Sequence, residues 1–331
     1  MKTLFFKKSI FLVSLIAFFG AFHLGFGQEY TPFTRTYPSG ENFRYQTNIK
    51  GDLTFIANNI LNRQEPDQEY GHWEGSGRRR RWVVDGTIPG DGPNVPYNVT
   101  GNSSEYNDLF NMRYMDVDSD PSTFSSSTST LTFADAACSK VRYAALYWSA
   151  TYPSEFAGEA IGTNRQNDFN QVKFKIPGSA TYTDITADQV LYDGFASADA
   201  TMRQNSPYAC YADVTALITS MANPTGDYTI ANVRSIQGSL YPGGGAAAGW
   251  TLVIVYENPT YSGKLITTFD GFARVNSANS NININYTGFQ TIPSGPVNAT
   301  IGVAALEGDN RISGDELYIK GATTPPFTRI A

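Results

Sequence analysis

The chain has 331 residues, with 24 Lys and Arg against 30 Asp and Glu, and its formal charge is −6. An acidic balance argues against nucleic acid and anionic lipid as the main partners. A chain of about 300 residues buries roughly 75% of the surface that it exposes when unfolded. Composition therefore predicts a globular protein with a large core and excludes nucleic-acid binding as its main role.

The first 27 residues have the pattern of a signal peptide. Three lysines precede an apolar run, Ser9–Phe22, which is shorter than the roughly 20 residues of a membrane-spanning helix. Gly25-Phe26-Gly27 then offers small residues for cleavage before Gln28, although an uncleaved anchor is the alternative. Cleavage removes three Lys and no acidic residue, so the formal charge falls from −6 to −9. We expect an exported chain, at the cell surface or extracellular, with no membrane insertion of the mature part.

Residues 28–110 are predicted to form an N-terminal arm, the first strands and long loops. Asp52–Ala57 is predicted as a strand, and Trp82–Val84 as a second, short one. Four arginines, Arg78–Arg81, precede this short strand. They are interpreted as a basic docking patch or a protease site, and a solvated loop is the alternative. Asp85–Asp108 is rich in Gly, Pro, Asn and Ser, which is typical of a loop.

From Asn111 onward, β-prone runs recur between clusters of Gly, Pro, Asn, Asp and Ser. This spacing predicts an all-β fold over residues 111–322, a β-sandwich or jelly roll. Only one short helix is predicted, over Thr215–Ala222. The predicted strands are Met112–Val117, Thr128–Phe133, Val141–Ser149, Val172–Ile176, Val190–Tyr192, Tyr228–Val233, Trp250–Tyr256, Leu265–Val275, Ile282–Tyr286, Ala299–Leu306 and Leu317–Ile319.

The stretch Gly249–Phe272 is predicted to be a hairpin at the centre of this fold. Trp250–Tyr256 is almost continuously apolar, as in a strand buried in a sandwich core. Glu257-Asn258-Pro259 ends this strand, because Pro donates no hydrogen bond to a ladder and Asn favours turns. Lys264–Phe272 is then expected to run back beside it.

The tail, residues 323–331, is predicted to be a Pro-containing linker to a missing C-terminal region.

The two cysteines of the chain, Cys138 and Cys210, are predicted to form a disulfide. Export makes a disulfide plausible, and closing a loop of about 70 residues contributes about 4 kcal/mol in the chain-entropy account. The alternative is two unpaired, buried thiols.

Alternate aspartates, Asp116, Asp118 and Asp120, make a candidate Ca²⁺ site. Such carboxylates converge on a cation when the backbone turns tightly. Pro121 and Ser127 stand where an EF-hand loop has Gly and Glu, so an EF-hand is excluded and a site at the sandwich edge is considered instead. The alternative is an Asx-rich turn with solvated carboxylates.

A second and weaker set of candidate Ca²⁺ ligands is Glu307, Asp309 and Asp315, for which a polar hairpin turn is the alternative.

The rest of the sequence gives little support to a catalytic function. A catalytic triad would have to use His72, the one His of the mature chain, and no nucleophile-elbow motif lies near it. We therefore predict that the chain is not an enzyme.

Several motif-like stretches cover most of the mature chain, from about residue 48 to 321. They are Lys50–Asn62, Tyr114–Asp120 with Thr123–Ser127, Val141–Trp148, Tyr211–Thr215, Ala248–Pro259, Phe269–Phe272, and Glu307–Asp309 with Gly314-Asp315. Together they resemble the N-terminal module of very large surface proteins of gliding bacteria that use type IX secretion, the SprB-like adhesins and proteins with DUF11-type repeats. This chain departs from that family in having neither repeats nor a C-terminal secretion domain.

The resemblance implies a cell-surface β-sandwich at the outer end of a long, repeat-bearing protein. The expected function is a non-enzymatic adhesin module of a gliding-motility or surface-adhesion protein, whose partners are surface polysaccharide or an abiotic surface and the gliding and secretion machinery. Exposed Tyr and Trp would make the contacts, because their rings give rigid, amphipathic area. The alternatives are a structural cap of a repeat array and a carbohydrate-active β-sandwich enzyme.

Overall fold

The structure is a computed structural model, and it describes only part of the chain. The described residues are 28–63, 68–75, 81–88, 112–153, 155–156, 159–160, 167–238, 246–275, 281–288, 299–305, 316–321 and 324–329. The chain divides into a smaller unit, Met1–Thr47 with Thr267–Gly295, and a larger unit, Asn48–Ile266 with Pro296–Ala331. The boundary predicted between residues 110 and 111 lies outside the described residues and stays a prediction.

Strands dominate the described residues, which confirms the predicted all-β fold. In chain order they are β1 (Gln28–Thr31), β2 (Tyr45–Asn59), β3 (Leu61–Arg63), β4 (Gln68–Glu74), β5 (Arg81–Ile88), β6 (Met112–Tyr114), β7 (Ser126–Leu131), β8 (Lys140–Thr151), β9 (Glu155–Phe156), β10 (Glu159–Ala160), β11 (Gln171–Lys175), β12 (Thr183–Thr186), β13 (Gln189–Asp193), β14 (Pro207–Asp213), β15 (Gly226–Ala231), β16 (Ala248–Glu257), β17 (Gly263–Thr268), β18 (Phe272–Arg274), β19 (Tyr318–Gly321) and β20 (Thr324–Arg329). Two 3-10 turns, Asn167–Asn170 and Gly194–Ala196, and two short helices, Ala200–Asn205 and Thr215–Thr219, complete the described elements.

The larger unit contains two main sheets with a shared core. The six-stranded sheet has the order β13-β14-β8-β16-β2-β17, and the four-stranded sheet has the order β12-β11-β15-β7. One hydrophobic cluster includes Trp148 and Leu252 from the first sheet and Phe174 and Ile230 from the second, all almost inaccessible to solvent. Alternate residues of a strand point to opposite faces, so each sheet presents one apolar face to the other. The result is a β-sandwich.

Strand β16 is central, as predicted, but the predicted hairpin is wrong. Strand β16 pairs antiparallel with β8 on one side and with β2 on the other, and β17 lies beyond β2. The turn between β16 and β17 therefore crosses two strand spacings, about 10 Å. On β2, Ile56 lies opposite Leu252 of β16 and packs against the hydrophobic cluster.

Other elements differ from prediction in identifiable places. The predicted helix is present but ends at Thr219, and a second helix, Ala200–Asn205, begins after Asp199, whose carboxylate accepts hydrogen bonds from two backbone N–H groups of the first turn. The predicted linker contains β20, which pairs antiparallel with β19. The described residues of the runs predicted as strands at 282–286 and 299–306 have no regular structure.

Candidate functional site

The three predicted Ca²⁺ ligands of the D-V-D-S-D turn do not converge. Asp116 accepts a hydrogen bond from the hydroxyl of Ser126 at 2.8 Å, and Asp120 accepts one from the backbone N–H of Ser122 at 2.8 Å. Each carboxylate is thus bonded to a different part of its own turn. Within the described ranges, no group of three or more His, Cys, Asp or Glu side chains is placed to hold a metal ion.

The positive charge beside Asp118, the middle aspartate, belongs to a side chain of the protein and not to a bound cation. The ammonium of Lys175 on β11 lies 3.5 Å from Asp118, and the hydroxyls of Tyr182 and Thr123 donate to the same carboxylate. Burial alone would raise the pKa of Asp118, but these hydrogen bonds, one from the N–H of Asp120 and the Lys175 charge outweigh it, so the pKa is lowered. The turn is therefore fastened to the smaller sheet by hydrogen bonds and an ion pair.

The second set of candidate ligands, Glu307, Asp309 and Asp315, lies outside the described residues. The same holds for the predicted signal peptide, residues 1–27, and for most of the Arg78–Arg81 run. These predictions therefore stay predictions.

The predicted disulfide is not formed. Cys138 is exposed and Cys210 is buried, and no disulfide joins them. Cys210 lies opposite Trp148 in the register of β14 and β8, whereas Cys138 precedes the first residue of β8, Lys140. The strand from Lys140 to Trp148 spans about 26 Å, and a disulfide requires Cα atoms within about 7 Å. Sequence separation alone carried no information on this distance.

The most distinctive surface of the larger unit is the outer face of its six-stranded sheet. On β8, Leu146 and Trp148 point into the core, so Tyr143 and Tyr147 stand on the opposite face. Tyr211 of β14 lies directly opposite Tyr147, with their ring centres 5.4 Å apart, and its hydroxyl is 3.2 Å from that of Tyr143. These three rings make a tyrosine cluster on the outer face, in which Tyr143 and Tyr211 are buried and Tyr147 is half-buried.

An accessible part of this face lies next to the tyrosine cluster. Phe55 on β2 is opposite Val253 on β16, and Val253 is opposite Ala145 on β8, one side-chain row away from Tyr147. Phe55 is 41% exposed, and Tyr147 and Val253 are half-buried. We name Phe55, Tyr147 and Val253 the outer-face strip. With two strand spacings across and one row along the sheet, the Cα atoms of Phe55 and Tyr147 are about 12 Å apart.

An extended segment, residues 299–305, borders the strip at Phe55. A Cβ added to Gly302 would lie 3.0 Å from Cε1 of Phe55 and 3.7 Å from Cδ2 of Leu53. The backbone at Gly302 therefore lies against the Phe55 ring, and a side chain there would press on it. Ile301 and Val303, on either side, are 48% and 54% exposed. The segment extends the accessible apolar surface beyond the sheet.

No side chain of the strip is charged at neutral pH, although the chain as a whole is acidic. Its neighbours in the same two rows, Thr251, Ala57 and Ala145, are uncharged as well. An uncharged, aromatic and rigid surface suits a ligand with apolar faces and hydroxyl edges, because aromatic rings offer contact area at small entropic cost. One feature of the sequence pointed to this site. The residues of β8 on both faces are largely apolar or aromatic, whereas a strand with one solvated face is expected to have polar residues on that face.

Comparison with known proteins provides no relative for this chain: it matches no protein-family model, no curated protein and no solved structure. Among the residues that the structure describes, no helix combines the length and the apolar character needed to cross a membrane.

Proposed function

We propose that the chain is a non-enzymatic, cell-surface adhesin module that contacts polysaccharide through the outer-face strip. It would act as part of a larger surface-adhesion or gliding-motility protein. The observation that carries the proposal is the accessible, uncharged surface formed by Phe55, Tyr147 and Val253 on the largest sheet of the sandwich.

Sugar rings have apolar C–H faces and hydroxyl edges, so they match amphipathic aromatic side chains. Phe55 offers a ring face without polar atoms, and Tyr147 adds a hydroxyl group that can donate or accept a hydrogen bond. Both stand on paired strands, so little side-chain or backbone freedom is lost when a ligand binds. Their separation of about 12 Å favours an extended chain of sugar units over a single ring.

The lack of charge in the strip favours a neutral polysaccharide. An acidic polysaccharide would gain no ion pair there and would be repelled by a protein whose formal charge is −6, or −9 after the predicted cleavage. Neutral β-glucan and alginate are therefore informative probes, since one is uncharged and the other carries carboxylates.

A glycan array with the full exported chain tests this proposal. We expect retention on neutral polysaccharides and at least tenfold weaker retention for Phe55→Ala and Tyr147→Ala. Phe195 offers a matched control, because it is 44% exposed and lies in a 3-10 turn away from the strip; Phe195→Ala should bind as wild type does. Failure to bind any polysaccharide, or equal loss in all three variants, would refute the proposal.

A further inference from the structure

The smaller unit contains a nearly buried ion cluster centred on Asp270. The side chain of Asp270 is 7% exposed. One of its oxygens accepts a hydrogen bond from Nη2 of Arg35 at 2.6 Å, and the other accepts one from Nε of Arg44 at 2.6 Å. Nη2 of Arg44 adds a contact of 3.0 Å. Two guanidinium groups from the N-terminal arm, residues 28–44, thus meet on one carboxylate that lies far away in the sequence.

The backbone of Asp270 is held by the same arm. Its N–H donates to the hydroxyl of Tyr37 at 2.9 Å, and that hydroxyl also lies 2.9 Å from the carbonyl oxygen of Asp270. The guanidinium carbons of Arg35 and Arg44 lie 4.2 and 4.7 Å from the centre of the Tyr37 ring, as in cation–π contacts. Burial and the nearby Asp270 carboxylate raise the pKa of Tyr37 to about 12, so its hydroxyl keeps its proton.

Close contact between the arm and Gly271 adds a steric requirement. A Cβ at Gly271 would lie 2.5 Å from the carbonyl oxygen of Thr31 and 2.7 Å from Cδ2 of Phe33. Only glycine leaves room for the arm at this distance. Strand β1 then continues the attachment by pairing antiparallel with β18.

The hydrophobic core contributes nothing to this attachment among the described residues. Every buried member of the core cluster lies between Ile60 and Tyr256, inside the larger unit. The arm is instead held to residues 268–274 by ion pairs, hydrogen bonds, a ring contact between Tyr30 and Phe272 and the pairing of β1 with β18. Regions with few buried apolar contacts open at a lower free energy than the core strands of the same protein.

We propose that Asp270, Arg35, Arg44 and Tyr37 form a clasp that lets the N-terminal arm open and close as one unit while the sandwich stays folded. The carboxylate is the part on which the clasp depends, because removing it leaves two guanidinium groups in a nearly buried place without their common counter-ion. The clasp is independent of the proposed binding function, and it gives the exported protein an arm with two states.

Hydrogen exchange with mass spectrometry on the full exported chain tests the clasp. In Asp270→Asn, amides of residues 28–44 should exchange at least tenfold faster than in wild type, while those of β8 and β16 keep their rates. Gly271→Ala should also accelerate exchange of the arm, because the added methyl group would clash with Thr31 and Phe33. Glu257→Gln, which removes one carboxylate from the exposed pair with Arg142, should leave the arm protected.

Three results would overturn the clasp. Arm amides that exchange freely in wild type would mean that no closed state exists. Equal acceleration of the arm and of β8 and β16 in both variants would mean that the arm and the sandwich open together. Unchanged exchange of the arm in Asp270→Asn would mean that the carboxylate does not hold it.

Discussion

Replacing Ser127 by Ala should weaken the contact between the two sheets. The Ser127 hydroxyl accepts a hydrogen bond from the indole Nε1–H of Trp250 at 2.8 Å, and both side chains are buried. The change leaves the indole N–H in the core without its acceptor, which costs about 1–3 kcal/mol. Ala has nearly the shape of Ser, so this cost reports the hydrogen bond and not a cavity.

A double-mutant cycle with Trp250→Phe separates this bond from other effects. In the Trp250→Phe background the indole donor is gone, so Ser127→Ala should cost about 1 kcal/mol less than in wild type. Urea unfolding measures the four free energies, and the dependence on urea concentration should be the same for each protein. Ser129→Ala, on the same face of β7, is the matched control and should stay within about 0.5 kcal/mol of wild type. A zero coupling energy would contradict the description of how the two sheets face each other.

Three further predictions concern stability. Asp118→Asn should destabilise the fold at neutral pH. The pKa of Asp118 in the folded protein is lowered, so its contribution to stability is present above the ordinary value of 3.8 and is lost as the pH falls through the folded pKa; urea unfolding at a series of pH values should show the variant and wild type converging in acid. Gly51→Ala would bring a Cβ within 2.0 Å of the carbonyl oxygen of Tyr256 and should cost about 1–3 kcal/mol; an unchanged urea midpoint would argue against this close strand approach. Asn232 has φ 64° and accepts a hydrogen bond from the N–H of Phe124, so Asn232→Ala should lower thermal stability more than Asn232→Gly, by about 1 kcal/mol; the reverse order would refute the left-handed conformation.

Local sequence patterns were enough to predict the class of fold. Trp250–Tyr256 is almost continuously apolar, and Val172 and Phe174 alternate with polar residues, so both runs were predicted as strands and are strands. The pattern of apolar and polar residues that marks a strand with one or both faces buried is formed by a few consecutive residues. A short window of sequence is therefore enough to predict such a strand.

Strand partners were not predictable in the same way. Strand β2 (Tyr45–Asn59) separates β16 from β17 although it lies some 200 residues earlier in the chain. A hairpin was the natural expectation for two runs joined by a short turn. No periodicity within β16 or β17 indicates that a third strand lies between them, because strand pairing is decided by contacts distant in sequence.

The candidate site shows the same limit. The alternation on β8 predicts two apolar faces, but only the position of the second sheet decides that Tyr147 stands on the outer one. The sequence did not predict the partners of Asp118, because Lys175 and Tyr182 lie in the hairpin of β11 and β12, far from Asp118 along the chain. A dense run of aspartates suggests a bound cation, and here the nearby positive charge is a lysine.

The most direct test of the account is the affinity of the full chain for a soluble neutral β-glucan, measured by calorimetry for wild type and for the double variant Phe55→Ala/Tyr147→Ala. We predict binding by wild type, at least tenfold weaker binding by the double variant, an unchanged urea midpoint, and no comparable binding of alginate. Equal affinity of the two proteins, or a preference for alginate, would contradict the claim that this uncharged face of the sandwich is where the protein makes contact.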